Sequence, residues 1–184
     1  MKPTEELMEE HEAILGILDV LDEISSQIER HAPFNTDDVA RIVDFLRRFA
    51  DGCHHAKEEQ HLFPALEQAG VPRENGPIGM MLSEHDLGRK LIAAIAAACE
   101  KCVRGEEASG EIASNARAYA RLLRDHINKE NRVLFPMAER FLSLEVQERL
   151  SGAFAHLEEV EIGRGVHERY HAMLHELQDE YLAS

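Results

Sequence analysis

The chain has 184 residues, of which 44% are hydrophobic, and this length suits one domain that buries its own core. Its formal net charge of −15 at pH 7 implies an acidic surface that repels phosphate backbones, so nucleic acid is excluded as an expected partner. The acidic N-terminal residues do not resemble a secretory signal, and no apolar stretch is long enough to cross a bilayer, so we expect a cytoplasmic protein without a membrane partner.

Apolar residues recur at helical spacing almost throughout the chain, which predicts an all-α protein. The first helix is expected over about 4–31, and Asn35 is a candidate N-cap for a second helix over about 37–69. Pro64 is expected to bend that helix or loosen its last turns. Further helices are expected over about 78–104, over 111–141, and from Ser143 to the end with a break at 163–165. The pattern predicts an up-down four-helix bundle (1–142) with a C-terminal helical extension (143–184) packed on it.

The chain contains three cysteines, Cys53, Cys99 and Cys102. An odd number without an export signal argues against a disulfide framework. The CxxC formed by Cys99 and Cys102 has no second pair, and we interpret these residues as helix positions without chemistry of their own.

One segment of the chain occurs twice. HHAKEEQHLFPAL at 54–66 returns as HINKENRVLFPMA at 126–138, 72 residues later (126 − 54). Each copy has a histidine followed four residues later by a glutamate on the same helix face, and these pairs are His54 with Glu58 and His126 with Glu130. Glu10-His11-Glu12 similarly resembles Glu84-His85-Asp86, 74 residues later (85 − 11). This internal repeat predicts a pseudo-twofold bundle in which the repeated residues meet near the axis.

The helical faces indicate which polar residues point inward. Three histidines lie on apolar stripes, namely His11, His85 and His126. In the second helix, His55 and Glu59 share a line with Asp51 and other charged residues, which predicts a solvated face. We therefore expect His54 and Glu58 to form the inner pair and His55 to lie on the surface.

Four inward histidines and two inward glutamates favour a metal site. Two unpaired carboxylates buried close together cost several kcal/mol and repel each other, and cations offset both costs. A mixed imidazole and carboxylate set suits iron, and also manganese or zinc. We expect two metal ions, bridged by Glu58 and Glu130 and each held by two histidines, with positions left for a small ligand.

The remaining histidines leave alternatives open. His167 and His171 belong to a row of histidines at spacing four, in which His167 borders an apolar line. Either one of them reaches the mouth of the bundle as an additional metal ligand, or the row is a partly solvated helix face, which we favour. We interpret His31 and His156 as surface residues, and Tyr119 as a buried residue whose hydroxyl is hydrogen-bonded.

The motifs H-x-x-K-E followed by L-F-P, together with S-E-H-D at 83–86, resemble the hemerythrin-like family of HHE cation-binding domains over residues 5–140. The resemblance implies a four-helix bundle that holds a non-haem di-iron centre. It also implies the ligand set His11, His54, Glu58, His85, His126 and Glu130. Arg89 stands where the oxygen-carrying hemerythrins have a further histidine, and the pattern is closer to the di-iron repair proteins that respond to nitric oxide and oxidative damage.

The leading functional hypothesis is a redox-active di-iron protein that handles dioxygen, peroxide or nitric oxide. A second hypothesis is a sensing module in which metal occupancy alters the C-terminal extension. A third is a structural zinc or manganese site without redox chemistry.

Overall fold

The computed structural model describes residues 1–163 and 165–183, in which every regular element is helical. The α-helices are α1 (Pro3–Glu29), α2 (Thr36–Phe45), α3 (Phe63–Gln68), α4 (Pro77–Val103), α5 (Ser109–Lys129), α6 (Phe135–Phe141), α7 (Leu144–Leu157) and α8 (Val166–Tyr181). Four π-helical segments adjoin them, π1 (Leu46–His55), π2 (Glu58–Leu62), π3 (Glu130–Leu134) and π4 (Glu158–Ile162). The predicted all-α class is confirmed.

Four rods form the bundle. They are α1, the run from α2 to α3, α4, and the run from α5 to α6. Helix α5 packs along both α1 and α4, and the second rod packs against α4 and α1. The Asn35 side chain accepts a hydrogen bond from the backbone N–H of Asp37 at 2.9 Å, so the expected N-cap is present. The up-down bundle predicted from the sequence is confirmed.

In each of the two L-F-P motifs, the leucine ends a π-helical segment. Proline has no N–H and its ring crowds the preceding turn, and a wider turn relieves this crowding. The amide of Phe63 accordingly donates to the carbonyl of Glu58, and the amide of Phe135 donates to that of Glu130. The bend expected at Pro64 is thus a local widening that begins at a candidate ligand in each half of the repeat.

The apolar core is divided into two clusters. The larger one includes Ile14, Phe49 and Ile92, and the smaller one includes Leu7 and Phe135. In every rod the predicted ligands lie between residues of the two clusters. The predicted ligands therefore form a polar layer between two apolar ones, which limits the access of water. None of the described helices is long and apolar enough to span a bilayer.

The C-terminal extension packs on both clusters. Phe154 of α7 joins the smaller cluster, while Leu174 and Leu177 of α8 join the larger one beside α1. The Tyr170 hydroxyl donates to Asp44 at 2.9 Å. The division into 1–142 and 143–184 stays a prediction, and Arg164, within the predicted break, and Ser184 lie outside the described residues.

Gly16 allows α8 to lie close to α1. A Cβ atom at this position meets Gln178 Nε2 at 2.8 Å and a Leu174 methyl group at 3.1 Å. We expect Gly16→Val to destabilise the fold by about 1–3 kcal/mol through overpacking, and to expose α8 to proteolysis. Urea unfolding and limited proteolysis measure the two effects. Gly152→Val is the matched control, because Gly152 has open space around it, and an equal loss in both variants contradicts the packing argument.

Candidate metal centre

The six predicted ligands converge in one buried layer. Each of them is at most 1% exposed: His11, His54, Glu58, His85, His126 and Glu130. Together with His55, these residues supply two groups of donor atoms. Within each group, all donor atoms lie within 4.8 Å of one another. One group is His11, His54, Glu58 and Glu130, and the other is His55, Glu58, His85 and His126.

The histidines face each other in pairs. Nε2 of His11 lies 3.0 Å from Nε2 of His54, and Nε2 of His85 lies 3.1 Å from Nε2 of His126. Glu130 lies between the pairs, with one carboxylate oxygen 3.2 Å from Nε2 of His11 and the other 3.1 Å from Nε2 of His126. One carboxylate therefore reaches a histidine of each pair.

Glu58 has the same relation to the other two histidines. Its Oε1 lies 3.8 Å from Nε2 of His54, and its Oε2 lies 3.5 Å from Nε2 of His85. Glu58, like Glu130, therefore reaches one histidine of each pair.

Partners on the outer side of the rings orient two of these histidines. Nδ1 of His54 lies 2.8 Å from Glu10, and Nδ1 of His126 lies 2.9 Å from Glu84. An ionised carboxylate only accepts, so each Nδ1–H donates to it, and in a neutral ring Nε2 then offers its lone pair to the centre. Glu10 and Glu84 are 74 residues apart (84 − 10), so this outer pairing follows the repeat.

The other two histidines break the symmetry. Nδ1 of His85 lies 2.7 Å from Glu59, whereas Nδ1 of His11 lies 2.8 Å from the side-chain oxygen of Asn131. Glu59 and Asn131 occupy equivalent positions of the repeat (131 − 59 = 72). One half therefore has a charged partner where the other has a neutral one. These outer partners were not predicted from the sequence. Glu59 and Asn131 each directly follow a predicted bridging glutamate, so their equivalence can be read from the two aligned copies.

Two lysines complete the outer contacts. Lys57 binds Glu6, Glu10 and Glu158 at 2.7, 2.5 and 2.5 Å, and its equivalent Lys129 binds Glu84. Cys53, Glu10 and Glu158 also lie close enough to form a third group of donors. The Lys57 ammonium already neutralises those carboxylates, and burial raises the pKa of the Cys53 thiol to about 12, so this group suits a metal ion less well than the two histidine groups. All three cysteines are free, as expected.

Burial and mutual repulsion set the charge states of the bridging carboxyls. Burial, and then repulsion from Glu130, raise the pKa of Glu58 well above its ordinary value. Burial acts in the same direction on Glu130, but His126 and His11 hold the pKa of Glu130 well below that value. Although burial opposes it, Glu130 raises the pKa of His126 to about 9. In the metal-free centre these shifts therefore favour an ionised Glu130 beside a protonated His126.

The donor set fits metal cations. The carboxylate oxygens of Glu58 and Glu130 are buried and have no hydrogen-bond partner within the described chain. They face the Nε2 atoms of the four histidines, and each of these atoms offers a lone pair when its ring is neutral. Divalent cations satisfy such a layer, and nitrogen with carboxylate oxygen suits iron, manganese or zinc.

The prediction for His55 was wrong. His55 is 3% exposed and stacks on His85, with ring centroids 3.8 Å apart and planes at 15°. It ends π1, in which each residue turns the chain less than in an α-helix. Neighbouring residues consequently point in more similar directions, and His54 and His55 both face inward. The helical period used for the sequence analysis does not hold in this segment.

The C-terminal histidines lie outside both donor groups. His167 is 3.8 Å from Glu10, which in turn contacts His54, and His171 is exposed. His31 and His156 are exposed, as predicted. Tyr119 is fully buried, but the described residues offer its hydroxyl no hydrogen-bond partner, so that expectation was wrong.

Comparison with known proteins identifies the family. The sequence matches the family described as Hemerythrin HHE cation binding domain over residues 2–138. An uncharacterised protein of Mycobacterium tuberculosis (strain ATCC 25618 / H37Rv) is 28% identical over 140 residues, covering 76% of this chain and 54% of that protein. The iron-sulfur cluster repair protein YtfE of Escherichia coli (strain K12 / DH10B) is 38% identical over 88 residues, covering 46% of this chain and 40% of YtfE.

The chain spans about half the length, or less, of these curated relatives. No solved structure matches it significantly. The family match extends over most of the chain and includes all six predicted ligands. The protein therefore belongs to the hemerythrin HHE cation-binding domain family.

Proposed function

We propose that this protein holds a di-iron centre and uses it to handle dioxygen, peroxide or nitric oxide. The observation that carries the proposal is the placement of Glu58 and Glu130, each of which reaches one histidine of each facing pair. This arrangement favours two ions that share their bridging ligands over a single structural ion.

The proposed ligands are His11 and His54 for one ion, His85 and His126 for the other, and the two glutamates for both. When bound, two ferrous ions supply the two electrons that, with two protons, convert hydrogen peroxide into two molecules of water. The chain itself holds the rings in one tautomer through outer partners such as Glu10 and Glu84. Its apolar layers keep bulk water from the centre.

The similarity to YtfE, which is named for iron–sulfur cluster repair, supports a role in stress protection. The similarity covers less than half of either chain, so the repair activity is part of the proposal. A protein that protects iron centres has to meet the same small oxidants that damage them.

Metal analysis tests the proposal directly. Protein grown with iron is expected to contain about two iron ions per chain, and to show an absorption change when the ferrous form receives oxygen, peroxide or nitric oxide anaerobically. His54→Ala is expected to lose most of the iron, whereas His61→Ala, a partly buried histidine outside both donor groups, is expected to keep it. Wild-type protein that binds added ferrous ion no better than His54→Ala contradicts the proposal. Bound metal without any spectral response favours a structural zinc or manganese site.

A sensing function is the second candidate, because the extension contacts the centre's outer partners. Glu158 binds Lys57, and His167 approaches Glu10, whose carboxylate accepts from His54. Metal occupancy therefore has a direct route to π4 and α8. Limited proteolysis of the metal-free and iron-loaded forms tests this route, and identical cutting within residues 143–184 in both forms argues against sensing.

A further inference from the structure

His55 presents a buried nitrogen that the proposed ligand set does not use. Its Nε2 is buried and has no hydrogen-bond partner in the part of the chain that the structure describes. The residue nevertheless belongs to the donor group of Glu58, His85 and His126. A buried acceptor left without a donor is destabilising, so a partner from outside the chain is expected.

The outer contacts of His55 determine whether its Nε2 is a hydrogen-bond donor or an acceptor. Nδ1 lies 3.3 Å from a carboxylate oxygen of Asp51, and the same oxygen accepts from Arg89 Nε at 2.8 Å. Because this ion-paired carboxylate only accepts, the proton of the neutral ring lies on Nδ1. Nε2 therefore carries a lone pair that faces the metal-binding layer.

Because His55 stacks on His85, the two rings in this arrangement do not both bind the same ion. A ligand imidazole binds a metal through a lone pair in the ring plane, and these two planes are nearly parallel with centroids 3.8 Å apart. Planes in that relation do not meet at a shared ion. The internal repeat supports this conclusion. The position equivalent to His55 in the second copy holds Ile127 (127 − 55 = 72), so His55 has no counterpart in the symmetric ligand set.

We propose that His55 accepts a hydrogen bond from the O–H group of a small ligand that enters the half of the centre formed by His85 and His126. The ligand class is a protonated oxygen species, of which hydrogen peroxide is the reactive member. Nitric oxide has no proton to donate, so His55 selects peroxide over nitric oxide. The inference rests on the proposed function and names the substrate class of that centre.

The test compares two ligands in one variant. His55→Phe keeps a flat ring against His85 but has no acceptor nitrogen, and His55→Gln restores a side-chain acceptor. We expect His55→Phe to keep wild-type iron content and nitric oxide affinity, while the stopped-flow rate of oxidation of the ferrous protein by hydrogen peroxide falls about 3- to 10-fold, the effect of one hydrogen bond. His55→Gln recovers part of that rate, and His61→Phe, the matched control, leaves it unchanged.

Three results with the His55→Phe variant overturn the inference. Loss of iron from His55→Phe makes His55 a ligand, an equal loss of peroxide rate and nitric oxide affinity makes it only a support for His85, and an unchanged peroxide rate removes its role. A further measurement is independent of iron. In zinc-loaded protein, ¹⁵N NMR is expected to show the His55 proton on Nδ1, and a proton on Nε2 overturns the inference. Failure of the wild type to bind iron overturns the proposed function instead and leaves the tautomer measurable.

Discussion

We expect the Glu58→Gln variant to be more stable than the wild type without metal and less stable with it. Without metal, Glu58 is a buried carboxyl beside Glu130, and its pKa is raised well above the ordinary value by burial and by that neighbour. The substitution removes this penalty, and we expect a gain of about 1–3 kcal/mol in the free energy of unfolding at pH 7. With metal, the variant lacks a proposed bridging ligand and loses the stabilisation that bound ions provide, about 4.1 kcal/mol at a metal concentration 1,000 times the Kd, which exceeds the gain.

The pH dependence of the metal-free difference follows from the direction of the shift. A carboxyl whose pKa is raised by folding destabilises the fold above its unfolded pKa, near about 4.3 for glutamate. The advantage of Glu58→Gln therefore grows as pH rises from that value and disappears below it. Urea unfolding at several pH values, with and without ferrous ion, measures both effects. Glu12→Gln is the matched control because Glu12 is exposed beside His11. A variant that keeps the full stabilisation by metal contradicts the bridging role.

We expect Lys57→Ala to destabilise the metal-free protein far more than Lys129→Ala. The two lysines are equivalent in the repeat, but the Lys57 side chain is fully buried whereas that of Lys129 is 33% exposed. Removing Lys57 leaves Glu6, Glu10 and Glu158 without their shared cation, and loss of one partner of a buried ion pair costs about 3–5 kcal/mol. Removing Lys129 leaves Glu84 with access to water, and we expect a loss of about 1 kcal/mol or less.

Denaturant unfolding of both variants is the measurement, and each serves as the control for the other. The difference arises because Phe154 of α7 and Glu158 of π4 contact the Lys57 ammonium, whereas the described residues leave the Lys129 side chain partly exposed. A double variant, Lys57→Ala with Glu158→Gln, is expected to recover part of the loss, since one of the uncompensated carboxylates is gone. Equal losses for the two single variants contradict the argument from burial.

The convergence of the six predicted ligands in one layer was predictable because two independent periodicities selected the same residues. The helical period placed His11, His85 and His126 on apolar faces, and the 72-residue repeat selected His54 and Glu58 over their neighbours. The structure brings these residues and Glu130 together in one layer. His55 was misplaced for a physical reason, because the π-helical turns before it change the angle between successive side chains.

By itself, the sequence determined the all-α bundle and the six residues that meet near its axis, since both follow from repeating patterns along single helices. Only the tertiary structure decided which groups contact the outer sides of those residues. His11 meets Asn131 from 120 residues away, and Lys57 meets Glu158 from 101 residues away. Such contacts depend on the rotation and height of one helix relative to its neighbour. The same two parameters determine whether an ion pair is buried or exposed. The apolar stripe of each helix indicates which face turns inward, but it does not fix the height of one helix against another.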